Sequence, residues 1–388
     1  MTSALYYPTI RGRQGEISAL HHLSPSVRAR IAPLVDLPTG AESDPKSLEE
    51  FVGSFVAGLT PAWGTAYPIY VDLSRYDPGK TDTHGRHIAE YLFECARQAQ
   101  IKAIPVAGTL AERGPGDVYL QAVANAAKLA GRGAALRISH ADYSDRDVFV
   151  RELTTALQHL SLRPDQVDLF LDAESIALMP PESANETQLL AELSEAIRAA
   201  QPLGFRSVIF TGSSVPENLR GPEDGNPLIF SRTELRVWKS YMSSPGVLLV
   251  RFGDTGVWNP RQPDTGGGGG GPPPARVRIA LDDKQVFFRA KSTDYRALCQ
   301  SALQHAGVSD LPRCWGLDSI RRAGRGSGNA DNATGWVARD TNLHIETTAH
   351  QVERILKGYN RLSELVLAPV RPEPWQQETW TDAFEQHS

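Results

Sequence analysis

Acidic and basic side chains recur in this chain directly behind short apolar runs. Asp36 follows IAPLV, Asp72 follows YPIYV, Asp172 and Glu174 close VDLFLDAE, and Asp254 follows VLLVRFG; Arg137 to His140, Ser213 with Ser214, and Arg251 stand in comparable places. Carboxylates in such positions can act as general acid or base, and an arginine can grip a phosphate or carboxylate through two parallel N–H bonds. Asp36, Asp72, Asp172 and Asp254 together would also suit an oxygen-preferring cation such as Mg2+ or Ca2+. A structural reading competes for each Asp, which could instead cap the next helix or tie the following turn. Zinc and iron chemistry find no pattern, because no HxH, HExxH or regular His spacing occurs. His21, His22, His84 and His87 fall in helix-like stretches and are expected at the surface.

Two further segments carry candidate chemistry. Arg11-Gly-Arg-Gln-Gly-Glu16 sets Arg11, Arg13 and Glu16 around two glycines, so that freed backbone amides and cations could cradle an anion. A turn in which Glu16 caps a helix is the equal alternative. Between Arg321 and His344 the sequence supplies Arg322, Arg325, Asn329, Asn332, Trp336, Arg339, Asn342 and His344, and a Gly-, Asn- and Ser-rich loop is expected from 324 to 335. Such a loop would close over a pocket or contact nucleic acid. Residues 276–325 hold ten Lys/Arg against five Asp/Glu, so the basic character is local. GRGSGNADNATG is not a phosphate-binding Walker loop, since no GK[ST] follows.

The elements that must position these groups are regular. Eight apolar runs begin at Leu5, Ile31, Tyr67, Lys102, Ala134, Val167, Ser207 and Val247, each bounded by Gly, Pro, Asp or Ser, as buried parallel strands are. Between them lie helical periods such as Leu48, Phe51, Val52, Phe55, Val56 and Leu59, or Leu189, Leu190, Leu193 and Ile197. Ser183 with Glu186, and more weakly Ser144 with Asp147, mark helix starts. Eight strand–helix units predict an α/β fold, a (β/α)8 TIM-like barrel over 1–262. A doubly wound open sheet uses the same units, but the glycine spacing after the first run is wrong for a dinucleotide turn. In a barrel, the charged groups above would converge on one mouth. Sugar chemistry with a carboxylate pair would need aromatic platforms there, for which only Trp63 and Trp258 are candidates.

Composition is that of an ordinary soluble protein with one large domain and a smaller one: 388 residues, 41% hydrophobic, formal charge −5. No window reaches 18 uninterrupted apolar residues, and the opening lacks the pattern of a secretion signal, so no membrane contact and a cytoplasmic location are expected. Cys95, Cys299 and Cys314 form no CxxC, which fits a reducing compartment. Gly266 to Gly271 and Pro272 to Pro274 form a linker at 263–275. Beyond it, a hairpin around Asp282-Asp283-Lys284 and helices near 295–306, 315–323 and 348–359 make a C-terminal α+β extension over 276–368; 369–388 is a tail.

The opening YYPTIRGRQGEISAL, then IAPLVDLP, FGDTGVWNP and the late CWGLDSI…GWVARDTNLHI resemble the beta family, named after a phage beta protein. The landmarks map to Tyr7, Pro8, Arg11, Arg13, Gln14 and Glu16, to Pro33, Leu34 and Asp36, and to Trp336, Asn342 and His344. Asp36 stands where Glu is common in that family, and the polyglycine run is an insertion. The resemblance implies a setting in phage and bacterial mobile or defence regions, with a protein partner in a defence operon, and no particular reaction. From it and the charged strand ends, the expected function is binding of an anionic ligand, a nucleotide or nucleic-acid end. Glu16, Asp36, Asp72 or Asp172 would then act as base or metal ligand, Arg11, Arg13 and Arg137 would hold the anion, and Asp254, Trp336, Arg339, Asn342 and His344 would contribute. A non-catalytic scaffold that binds a partner protein is the alternative.

Overall fold

The computed structural model describes residues 4–39, 45–109, 118–176, 182–217, 226–261, 275–290, 295–327 and 332–365. Its strands are β1 Tyr6–Arg11, β2 Leu34–Asp36, β3 Pro68–Asp72, β4 Lys102–Ala107, β5 Ala134–Ser139, β6 Val167–Ser175, β7 Ser207–Ser213, β8 Leu228–Ser231, β9 Arg251–Asp254, β10 Arg276–Leu281 and β11 Lys284–Arg289. Eight of them close into a barrel in the order β1-β2-β3-β4-β5-β6-β7-β9. Every pairing in it is parallel, and β9 returns to β1 with Tyr6 opposite Phe252 and Pro8 opposite Asp254. The eight apolar runs of the sequence each supply one of these strands.

Helices cover the outside because each connection carries an apolar stripe. Leu48, Val52, Phe55, Val56 and Leu59 of the helix Pro45–Trp63 are all buried in the core between helices and barrel wall. The helix Arg146–Leu160 is capped one residue later than the Ser144 pattern suggests: Asp145 accepts hydrogen bonds from the amides of Asp147 and Val148. An ionised carboxylate is the stronger acceptor at a helix N-terminus. The Ser183 signal falls in the helix Glu182–Ala200, where that side chain is outside the described residues.

The extension forms a small antiparallel sheet in the order β10-β11-β8. The expected hairpin is β10–β11, with Leu281 paired to Lys284 and Asp282 in the left-handed region at φ 45°. Its third strand, β8, comes from the barrel half of the sequence, between β7 and β9. Residues 263–274 of the expected 263–275 linker, and the tail, lie outside the described residues.

The largest departure from the sequence reading is at the C-terminal end. Residues 333–335, expected as loop, and 336–347, ahead of the expected helix start near 348, belong to one helix, Ala333–Gly358, N-capped by Asn332. The apolar stripe is hard to see because much of the helix is both polar and buried, including Asp340, Thr341, Asn342, His344, Glu346, Thr347 and Thr348. Partners offset the cost of burying Asn342, Glu346 and one side of Asp340 and of His344, while the Thr341 and Thr347 hydroxyls find none among the described residues. Asn342 accepts from the Gly316 amide at 2.9 Å and donates to the Ala19 carbonyl at 3.3 Å, while Glu346 accepts from the Ser24 hydroxyl at 3.0 Å. A Cβ on Gly316 would lie 2.4 Å from the Arg339 carbonyl oxygen, so only glycine lets the helix Trp315–Gly324 approach this closely.

The long helix serves two cores. Trp336 and Leu343 belong to the small core under β10 and β11, whereas Ile345, Ala349, Val352 and Leu356 belong to the barrel core. It packs on the helix Gln14–His21 and on β1. It therefore stands where the helix following the eighth barrel strand belongs, and the small sheet and its helices are inserted between that strand and this helix.

Candidate functional site

Alternate residues of each strand point into the barrel. Tyr7, Leu34, Tyr70, Ile104, Val106, Ala135, Phe170 and Ile209 fill the interior as one apolar cluster. Below it Asp168 is held by Tyr70, whose hydroxyl donates at 2.6 Å, and by Arg206, whose Nε donates at 3.0 Å. That polar plug sits at the N-terminal ends of the strands, the face where barrels place stability rather than reactivity.

One inward step further along each strand lie Thr9, Asp36, Asp72, Arg137, Asp172 and Thr211, forming a polar layer at the C-terminal ends. Arg137 is its centre. Its Nη1 donates to Asp36 at 2.6 Å and to Asp72 at 3.0 Å, and its Nε donates to Asp172 at 2.7 Å. Asp72 and Asp172 each also tie a turn, accepting at 2.8 Å from the Ser74 and Glu174 amides respectively. The structural reading of these two aspartates, as ties of the turn that follows each strand, is what these bonds show. Asp36 ties no such turn among the described residues. Burial pushes its carboxyl pKa up against the pull of Arg137, and the like charges of Asp72 and Asp172 add to the rise.

The guanidinium of Arg137 occupies the place among the three carboxylates that a cation would take. Asp254, the fourth aspartate of the sequence set, is on the other side of the barrel wall. Among the described residues no group of three or more His, Cys, Asp or Glu is arranged to hold a metal.

Arg11 flanks the layer. Its guanidinium lies 4.3 Å from the centre of the Trp258 ring, and Nη2 donates to the Asn259 carbonyl at 3.3 Å. Nearby hydrogen-bonding capacity is left over: the Thr9 and Thr211 hydroxyls and the Trp258 indole N–H have no partner among the described residues, although these residues are only 1%, 1% and 6% exposed. Sequence inspection missed Thr9 and Thr211; counting inward positions from Tyr7 and Ile209 would have found them.

The remaining candidates do not converge on this layer, so the single mouth expected from the sequence separates into distinct places. Gly253 takes the inward position on β9 and Asp254 points outward. There Tyr6 donates to it at 2.6 Å, Arg232 at 2.9 Å and His344 Nε2 at 2.9 Å. Burial would raise the Asp254 carboxyl, but His344, Arg232 and Tyr6 outweigh it and hold the pKa well below the usual carboxylate range. Arg232, fully buried and also bonded to Gln351 at 2.7 Å, gave no signal in the sequence. Glu16 is buried beside the extension, where burial pushes its pKa up to about 7 against the fields of Arg13, Arg11 and Arg278. Trp336 and Arg339 stand on the long helix in the extension, and Asn342 stitches that helix to its neighbours. Trp63 is buried outside the barrel, its indole N–H donating to the Tyr67 carbonyl.

Residues 6–350 match the sequence profile of the family described as Beta protein. The chain belongs to the Beta protein family. In this member of the family the N-terminal landmarks Tyr7, Arg11 and Asp36 are inward barrel positions, whereas Asn342 ties the final helix both to Gly316 of the extension and to Ala19 of the first barrel helix, and His344 ties it to Asp254. No curated protein matches the chain. Among solved structures, triosephosphate isomerase from Bartonella henselae is similar at 12% identity and a TM-score of 0.33, over 64% of this chain and 91% of that one. No helix among the described residues is long and apolar enough to cross a membrane.

Proposed function

We propose that this Beta protein works at its barrel mouth, binding a small ligand that carries an anionic group, such as a nucleotide or a nucleic-acid end. The observation that carries this reading is the convergence of Asp36, Asp72 and Asp172 on Arg137 at the C-terminal strand ends, where barrel enzymes keep their reactive groups. Arg137 is occupied by carboxylates, so its part is to orient them. The anionic group goes to Arg11, backed by the Trp258 ring, and to Arg13 in the turn that follows. The Thr9 and Thr211 hydroxyls and the Trp258 N–H bond the uncharged part of the ligand. Asp36, whose carboxyl pKa burial and the neighbouring carboxylates raise, is the group that would exchange a proton with a bound substrate. A setting in phage and bacterium conflict, in the cytoplasm, goes with the resemblance to phage and defence-region proteins.

Thermal-shift screening with nucleotides, short oligonucleotides and divalent cations tests the reading. A ligand at a hundred times its Kd stabilises the native state by about 2.7 kcal/mol, worth several degrees in melting temperature. The expected result is a shift with a nucleotide or oligonucleotide that is lost in Arg11→Gln. A melting temperature unmoved by every compound would overturn the proposal and leave the Asp–Arg layer as a structural plug, as in the scaffold alternative.

A further inference from the structure

We propose that the buried loop formed by residues 254–259, at the end of β9, couples the seating of the final helix to the barrel mouth, so that His344, Asp254 and Gln285 are positioning residues for Arg11. The proposal deepens the mouth reading above and rests on it. None of the three belongs to the Asp–Arg layer. They act through Trp258 and Asn259, which hold Arg11.

One end of the loop is fastened to the C-terminal part of the chain. His344, Thr348 and Gln351 follow one another at helical spacing along one face of the final helix. His344 Nε2 lies 2.9 Å from Asp254, while Thr348 and Gln351 accept from Arg232 at 3.1 and 2.7 Å. Arg232 in turn donates to Asp254 at 2.9 Å, so the helix grips this carboxylate both directly and through a buried guanidinium. Asp254 also accepts the Gly256 amide at 3.0 Å, which fixes the turn of the loop. The small sheet adds a second fastening, since Gln285 of β11 donates to the Gly256 carbonyl at 2.9 Å. Gly256 takes the left-handed conformation at φ 67°, and a Cβ there would meet the His344 ring at 3.6 Å, so the loop turns directly against that ring.

The other end is fastened at the mouth. The Trp258 carbonyl accepts from the Ser213 and Thr255 hydroxyls at 3.2 and 2.9 Å. The Asn259 side-chain amide donates to the Ser175 hydroxyl at 2.8 Å and to the Val215 carbonyl at 2.5 Å. These bonds fix the ring that lies 4.3 Å from the Arg11 guanidinium and the carbonyl that accepts from Arg11 at 3.3 Å. Between the two ends the chain has no slack, because Asp254, Thr255, Val257, Trp258 and Asn259 are all buried. A close-packed interior passes a displacement on rather than absorbing it. Movement of Asp254 with the final helix therefore moves Trp258 and Asn259, and Arg11 with them.

The test is fluorine NMR of the full chain carrying fluorotryptophan, with the Trp258 resonance assigned by its loss in Trp258→Phe. His344→Leu and Gln285→Leu each cut a fastening at the far end of the loop and are expected to move that resonance. His344→Gln, which keeps a donor for Asp254, should return it toward the wild-type position, and Gln285→Leu carries the test if His344→Leu does not fold. Val352→Ala removes core packing from the same helix and should lower the melting temperature with the resonance in place, which separates coupling from loss of stability. Calorimetric titration with adenosine triphosphate and with a short phosphorylated oligothymidylate then reads the mouth: affinity should fall about fivefold or more in His344→Leu and recover in His344→Gln. No heat from either probe with the wild-type chain would refute the mouth reading and the binding half of this proposal, while the resonance still decides the coupling. A Trp258 resonance unmoved by both His344→Leu and Gln285→Leu, or moved as far by Val352→Ala, would overturn the coupling itself.

Discussion

Arg137 and Asp36 are 101 residues apart in the chain, yet Nη1 of one lies 2.6 Å from Oδ1 of the other at the centre of the barrel. The pair is one spoke of a buried cluster in which a single guanidinium compensates Asp36, Asp72 and Asp172. Removing the hub leaves three buried carboxylates without their counter-ion, and breaking a buried pair in this way costs about 3–5 kcal/mol. Arg137→Met is therefore expected to lower the denaturant midpoint strongly, whereas Asp36→Asn keeps an acceptor for Arg137, relieves like-charge repulsion and should be close to neutral. Urea unfolding of the two variants checks the contrast; equal losses would show that the cluster does not work as a hub.

Stability should fall as pH rises from about 4.5 to 7. Burial raises the folded-state pKa of Glu16 from 4.5 to about 7, of Glu234 from 4.5 to about 7 and of Asp340 from 3.8 to about 7. Between the unfolded and folded values the native state binds more protons, so stability present at low pH is lost through that window. Asp254 acts in the opposite sense, since its pKa is depressed and its contribution disappears only in strong acid. Melting temperature measured from pH 4.5 to 8 should decline, and Glu16→Gln with Asp340→Asn should flatten the decline.

Ending the chain before Ala333 should abolish folding of the barrel itself, not only of the extension. The truncation removes Ile345, Ala349, Val352 and Leu356 from the barrel core, and each large apolar side chain lost from a core costs about 2–5 kcal/mol. Circular dichroism and soluble yield of a 1–332 fragment give the answer. A cooperative melt would show that the barrel closes without its final helix.

Deleting Gly266 to Gly271 should leave melting temperature and ligand binding unchanged. Loop-closure entropy varies slowly with length, by about 0.6 kcal/mol per doubling. A large shift would show that the reach of this segment matters.

The local signals in the sequence determined a great deal. Strand-length apolar runs, helical stripes between them and the β10–β11 hairpin were legible because each rests on near-neighbour periodicity, and together they led to the barrel. The charged strand ends were legible for the same reason. Tertiary structure decided which of them meet. Gly253 takes the inward position next to Asp254, so parity on β9 sends that carboxylate outward to His344 and Arg232, while Asp36, Asp72, Arg137 and Asp172 share the inward parity. The final helix was illegible because buried polar residues such as Asn342 and Glu346 are matched by Gly316, Ala19 and Ser24, hundreds of positions away for the latter two. Sequence periodicity records which face of an element is apolar; it carries no record of a buried polar side chain whose partner is supplied by another part of the chain.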